Sequence, residues 1–224
     1  MDKIPFSIYD FFGYLASGFI LLIAVNYTYG NGSFLTQEIS IVLALFLVVV
    51  SYILGHIVAN FSSFLFEEKF VKGVLKEPSI NLFCKKPKSN WRRIFPGFYR
   101  PLPEATCSRI LSKTKAKAGF QEPGQAVFYH CFQTVKSNEK TLGRLNIFLN
   151  LYGFSRNVSM SLLLCSLVLL SGWLAVRYSG SQPNPALLWG AIISTFASVG
   201  MFYRYLKFFR QYSVEVFTSY AEVE

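Results

Sequence analysis

The chain has 224 residues, of which 52% are hydrophobic and 17% aromatic but only 15% charged. Soluble domains carry about a quarter charged residues, so this composition excludes an ordinary water-soluble domain. The 22 Lys and Arg residues against 12 Asp and Glu give a net charge of +10, a surplus that would suggest nucleic acid unless its position says otherwise.

Four apolar stretches, Tyr9–Tyr27, Ile39–Phe66, Val158–Tyr178 and Ala186–Tyr205, hold almost no ionised side chain. At about 1.5 Å per helical residue, each can cross a hydrocarbon core roughly 30 Å thick. The first is read as a retained span, because it is long, has no basic n-region beyond Lys3 and lacks a small-x-small cleavage site. The connections Thr28–Glu38 and Ser179–Pro185 contain no Lys or Arg, whereas 17 of the 22 basic residues lie between Glu67 and Arg156, against six acids. By the positive-inside rule, both termini and the long central segment are expected in the cytoplasm. The expectation is an all-α membrane protein: four transmembrane helices, N-in/C-in, with helices extending into a small basic cytoplasmic cap. The basic excess is then a topology marker first and a contact for anionic headgroups second; nucleic acid is not an expected partner.

In chain order, residues 1–66 are expected to form transmembrane helices 1 and 2, and 67–156 the cap with juxtamembrane helices. Residues 157–206 should form helices 3 and 4, and 207–224 a cytoplasmic C-terminal helix. The second span runs without a breaker into Glu67–Leu75. Thr141–Arg156 and Arg204–Tyr220 carry apolar stripes at helical spacing. Such extensions either pack on each other or lie on the membrane. Between them, Lys76–Glu139 contains six of the nine prolines, with Pro101 and Pro103 barring a helix across Arg100–Glu104. Helices are expected over 104–118 and 124–136, separated at Gly119, with Pro123 at the start of the second. The sequons Asn26-Tyr-Thr and Asn31-Gly-Ser fall on the outer side. Cys84, Cys107, Cys131 and Cys165 are expected as reduced thiols.

Candidate functional residues fall into four groups. Ser51, Gly55, Ala59 and Ser63 recur every four residues in the second span. Gly190, Ser194 and Ser198 repeat this in the fourth, and Gly13 and Ser17 in the first. Such ridges let helix backbones approach in lipid. Beside them His56 and Asn60 share a face, either as an interhelical hydrogen-bonding pair or as part of a pore lining. Asp10 lies near the inner interface, where Arg156 or Arg204 is a partner of opposite charge. Finally Lys85, Lys86, Lys88, Trp91, Arg92 and Arg93 form a basic, aromatic-interleaved run suited to lipid headgroups or an anionic ligand. His130 and Cys131 are adjacent, so on a helix they point about 100° apart and do not form a nucleophile–base pair. No CxxC, HExxH, GxSxG or P-loop pattern occurs. No cofactor or metal and no enzyme activity are expected.

The stretches IPFSIYDFFGYLASGF, YILGHIVANFSS, FYRPLP, VFYHCF and RLNIFLNLYGFSRN resemble those of uncharacterised bacterial four-span membrane proteins. They are similar, loosely, to small membrane components of antiphage defence loci. The resemblance implies a bacterial inner-membrane setting and transfers no catalytic residue. The function expected from these readings is a non-enzymatic, homo-oligomeric sensor/effector. Its cap would respond to a ligand or cytoplasmic partner, and its spans would alter membrane integrity or conduct ions. The alternative is a membrane anchor or scaffold that recruits a cytoplasmic protein without conduction.

Overall fold

The structure, a computed structural model, describes residues 8–30, 32, 34, 38, 40–83, 90–119 and 124–222, residues 8–10 by their backbone only. Among the described residues it is all-helical, with no strand. Helix α1 spans Ile8–Tyr29. Helix α2, Ile41–Ser62, starts where Ser40 Oγ accepts the Leu43 N–H at 3.2 Å, a side-chain cap for an otherwise orphaned donor. It continues as a π-wound segment, Ser63–Leu75, which ends where Lys76 turns left-handed (φ 67).

Helix α3 is the short turn Pro78–Asn81, with its proline at the first helical position. A 3₁₀ turn at Asn90–Arg92 follows. Helix α4 spans Glu104–Ala118, starting past Pro103 and ending at Gly119 in the left-handed conformation (φ 72), as a C-terminal glycine cap requires. Helix α5 runs Gln125–Val135, close to the expected bounds; Pro123 lies outside the described residues. Helices α6, Glu139–Tyr178, and α7, Pro185–Glu222, are single helices of 40 and 38 residues. The expected juxtamembrane stripes are therefore continuous with the apolar spans.

Four helices are long and apolar enough to cross a membrane, with candidate spans in Phe11–Tyr29, Ile41–Asn81, Glu139–Tyr178 and Pro185–Glu222. The chain divides into two compact units, Met1–Phe66 with Gly153–Phe202, and Glu67–Tyr152 with Tyr203–Glu224.

The two units bury opposite kinds of residue. In the first, the large side chains Phe46, Ile53, Phe61, Trp189 and Phe196 are exposed, while Ser17, Ser51, Ser62, Asn157, Ser159 and Ser198 are buried. Water would penalise that pattern and hydrocarbon would favour it, because lipid leaves small and polar residues to form the helix contacts. The second unit has a conventional core, with Leu82, Ile110, Val127, Leu145, Val216 and Phe217 buried together. It also carries 19 Lys and Arg against 9 acids, while the first unit holds three of each.

Candidate functional site

In the first unit, α1 and α2 cross where Gly18 meets Ser51 and Gly55 meets Tyr14. A Cβ on Gly18 would fall 1.7 Å from the Ser51 carbonyl oxygen, and one on Gly55 would fall 1.9 Å from that of Tyr14. Ser51, Gly55 and Ala59 are buried on this seam, and Ser63 is half-buried. On α1 the close approach is made by Gly18. Among the described residues, a Cβ on Gly13 would meet only the Phe154 ring at 3.6 Å, and Ser17 Oγ turns back to the Tyr14 carbonyl at 2.9 Å.

Among the described residues, His56 and Asn60 have no shared partner. His56 stacks on Tyr14 at a 4.1 Å centroid separation and meets Tyr52 edge-on at 4.6 Å. Asn60 is exposed beside Ile57 and Phe61, both also exposed. One buried polar pair of this unit has no counterpart among the sequence expectations: Ser62 Oγ donates to Asn157 Oδ1 at 2.7 Å. The signal for it was an asparagine at the entrance to the third apolar stretch, with Ser155 and Ser159 two residues to either side.

Helices α6 and α7 are joined by a hydroxyl ladder. Ser159 Oγ donates to the Ser198 carbonyl at 2.8 Å, and Ser198 Oγ returns a bond to the Ser159 carbonyl at 2.7 Å. Ser166 Oγ reaches the Ala191 carbonyl at 2.9 Å, and Ser194 Oγ lies 3.5 Å from Cys165 Sγ. A Cβ on Gly190 would sit 3.1 Å from Leu169. The ridge Gly190, Ser194 and Ser198 thus faces α6. Arg156 is half-buried. The Asp10 side chain lies outside the described residues, as do Lys85, Lys86, Lys88 and Cys84, so Asp10–Arg156 pairing has no geometry to report.

In the second unit, Trp91 anchors the basic turn. Its ring meets Phe70 edge-on at 5.4 Å and stacks near Phe95 at 6.2 Å, and Tyr203 donates to the Ile94 carbonyl at 2.9 Å. This holds Arg92, Arg93 and Ile94 outward and exposed. Arg210 donates through Nη2 to the Arg100 carbonyl at 2.7 Å; burial, then the neighbouring Arg100 charge, lowers its pKa. Arg204 is exposed, its guanidinium 5.1 Å over Phe208.

His130 and Cys131 do not form a reactive pair. The His130 ring lies edge-on to Tyr220 at 5.7 Å, and Cys131 is in the core. Burial pushes the Cys131 thiol up from 9.0 to about 12, and it also raises the Tyr212 and Tyr220 hydroxyls. Among the described residues no three His, Cys, Asp or Glu side chains gather as metal ligands.

Above about pH 9 the unfolded chain releases the thiol proton that the folded chain keeps, so stability falls as pH rises toward 12. The thermal midpoint is expected to decline above pH 9, and Cys131 to resist N-ethylmaleimide while half-buried Cys107 labels. A midpoint flat to pH 11 would contradict this.

Two of the cavities bear on ligand binding. One, about 520 Å³, is lined in the first unit by apolar side chains alone, among them Phe12, Phe19, Leu47 and Phe154; it offers dispersion and no polar recognition. The other, about 210 Å³, lies in the second unit, where Glu67, Lys72, Glu77, Ser79 and Gln125 meet an aromatic wall that includes Phe128, Tyr152, Phe209 and Tyr212. Tyr152 and Phe209 are 5.3 Å apart by ring centroids, and Phe128 and Tyr212 6.2 Å.

Glu77 accepts hydrogen bonds from Ser79, at 3.2 Å, and Gln125. Lys72 pairs with Glu68 and lies 3.6 Å from Glu67. Partial burial acts to lower the Lys72 pKa, but the Glu68 hydrogen bond and the charges of Glu67, Glu68 and Glu77 outweigh it and raise the pKa. The local field is negative, within a unit that is otherwise basic. Convergent polar groups on an aromatic wall are the usual composition of a small-molecule site, and this cleft is the candidate.

Fold and geometry together define the class: an all-helical protein with four helices long and apolar enough to span a membrane. Comparison with family models, curated proteins and solved structures yields no match.

Proposed function

We propose that this protein is a multi-pass sensor/effector of the bacterial inner membrane, with both termini cytoplasmic. Its second unit would receive a ligand or cytoplasmic partner, and its spans, assembled as a homo-oligomer, would change membrane permeability. The observation that supports this is the division of labour between the units. One has the inside-out burial that suits lipid; the other has a conventional core, all of the net charge and the polar cleft. Helices α6 and α7 and the 41–75 helix contribute to both units, which gives a bound ligand a covalent route to the spans. Asn60, exposed on an apolar face, provides a polar contact for a second copy. No enzyme activity is part of the reading, and bacterial defence enters it through the sequence resemblance alone.

The test is release of a trapped dye from vesicles reconstituted with the protein, before and after a protein-free cytoplasmic metabolite fraction is added. Ligand-dependent release is expected, and it should fall in His56→Leu and Asn60→Leu. Vesicles that stay tight under every condition would remove the effector role.

The exposed Arg92–Arg93–Ile94 turn favours a second reading, an anchor that holds anionic headgroups or recruits a partner without conduction. Neutralising Lys85, Lys86, Arg92 and Arg93 would then abolish partner recovery in a pull-down while leaving vesicles tight.

A further inference from the structure

We propose that the cleft of the second unit binds a small organic cation, its ammonium group seated against Glu77 and the aromatic wall. This rests on the reading above that the unit receives a ligand, and it assigns the ligand's chemistry. The unit has 19 basic residues and 9 acids, yet two acids and one lysine line this cavity. That lysine is engaged: Lys72 pairs with Glu68 and Glu67.

Glu77 is different. Its hydrogen-bonding partners, Ser79 and Gln125, are neutral, and it makes no ion pair among the described residues. They orient the carboxylate, while Lys72, held in ion pairs by Glu67 and Glu68, meets its charge only at longer range. The same cavity is lined by Tyr152, Tyr212, Phe128 and Phe209; aromatic ring faces carry the negative side of the quadrupole and attract a cation. An anion would meet repulsion from the two carboxylates, and a neutral ligand would leave their excess charge over Lys72 without a counter-ion. The volume of about 210 Å³ is below the roughly 300 Å³ at which drug-sized sites begin. It therefore suits a compact amine, free in solution or as the headgroup of a lipid.

The test is titration calorimetry on the full-length protein in nanodiscs, with tetramethylammonium and ethanolamine as probes and acetate as the anionic control. Saturable binding of the cations is expected, weakened about tenfold in Glu77→Gln, one lost charge contact on the usual scale. Glu139→Gln, remote from the lining, should bind like wild type. Should Glu77→Gln not fold, Lys72→Met reads the same field with opposite sign and should bind the cations several-fold more tightly.

Nanodiscs of phosphatidylglycerol and of phosphatidylethanolamine separate the sources. Weaker probe binding in the second identifies the headgroup as occupant, and equal binding identifies a soluble amine. Absence of saturable cation binding, binding unchanged in Glu77→Gln, or acetate bound as well as the cations overturns the proposal. Dye release by a metabolite fraction would still stand in that case. Cation binding without any dye release would leave this site in place and remove the effector role instead.

Discussion

Gly18→Leu is expected to prevent α1 and α2 from pairing and to leave little folded protein. Inserting methylenes into a packed interior ordinarily costs about 1–3 kcal/mol, because side chains can shift aside. Here the obstacle is backbone. The first added carbon would stand 1.7 Å from the Ser51 carbonyl oxygen and 2.6 Å from the Gly55 nitrogen, so relief requires the helices to separate. Separation would forfeit the dispersion contacts that hold helices together in lipid, and a loss above about 3 kcal/mol follows. Gly55→Ala, aimed at the Tyr14 carbonyl from the facing helix, should have the same sign. Gly13→Ala is the control, since its Cβ would make an ordinary 3.6 Å contact with Phe154. Thermal unfolding in detergent followed by circular dichroism reads the difference. A Gly18→Leu midpoint within a few degrees of wild type would refute the crossing.

Tyr99→Ala is expected to cost the second unit about 3–5 kcal/mol, the range for deleting a buried aromatic side chain. Tyr99 is 2% exposed, and its hydroxyl also does a capping job: it donates to the Leu75 carbonyl at 2.9 Å. Asn81 Nδ2 donates to the same carbonyl at 3.1 Å and to that of Lys76 at 3.0 Å. These are carbonyls that the end of a helix leaves without intrahelical donors. Tyr99→Phe keeps the ring and should cost only about 1 kcal/mol. Urea unfolding followed by tryptophan fluorescence separates the two variants, and equal losses would show that the hydroxyl, not the ring, carries the effect.

Much of the fold was legible from residue order because its signals are local. Pro101, Pro103 and Gly119 bracket α4 through backbone geometry alone, and the four-residue spacing of Ser51, Gly55 and Ala59 places them on one helix face whatever surrounds it. The partner of that face was not legible. Gly13 and Ser17 were the expected small residues of the first span, and the crossing falls instead at Gly18. Nor was the π winding of Ser63–Leu75 legible, since no proline or glycine pattern within Ser63–Lys72 announces it. His56 and Asn60 looked alike as polar residues on one helix face. The structure puts His56 between two tyrosines and leaves Asn60 outside, while Asn157, next to Arg156, makes the buried bond to Ser62. The cleft was not legible either. Glu67, Glu77, Gln125, Tyr152 and Tyr212 lie far apart in sequence, and no spacing rule connects them.

Residue order alone is enough to set the class of this protein. Hydropathy summed over some twenty residues is a one-dimensional quantity, and it decides whether a helix is compatible with hydrocarbon. The distribution of Lys and Arg is equally one-dimensional and carries the topological expectation. Tertiary structure alone decided which polar groups are buried, which are paired and which acids face a cavity. Those outcomes depend on how helices cross and on distances of a few ångströms between residues remote in the chain, and both are set by packing.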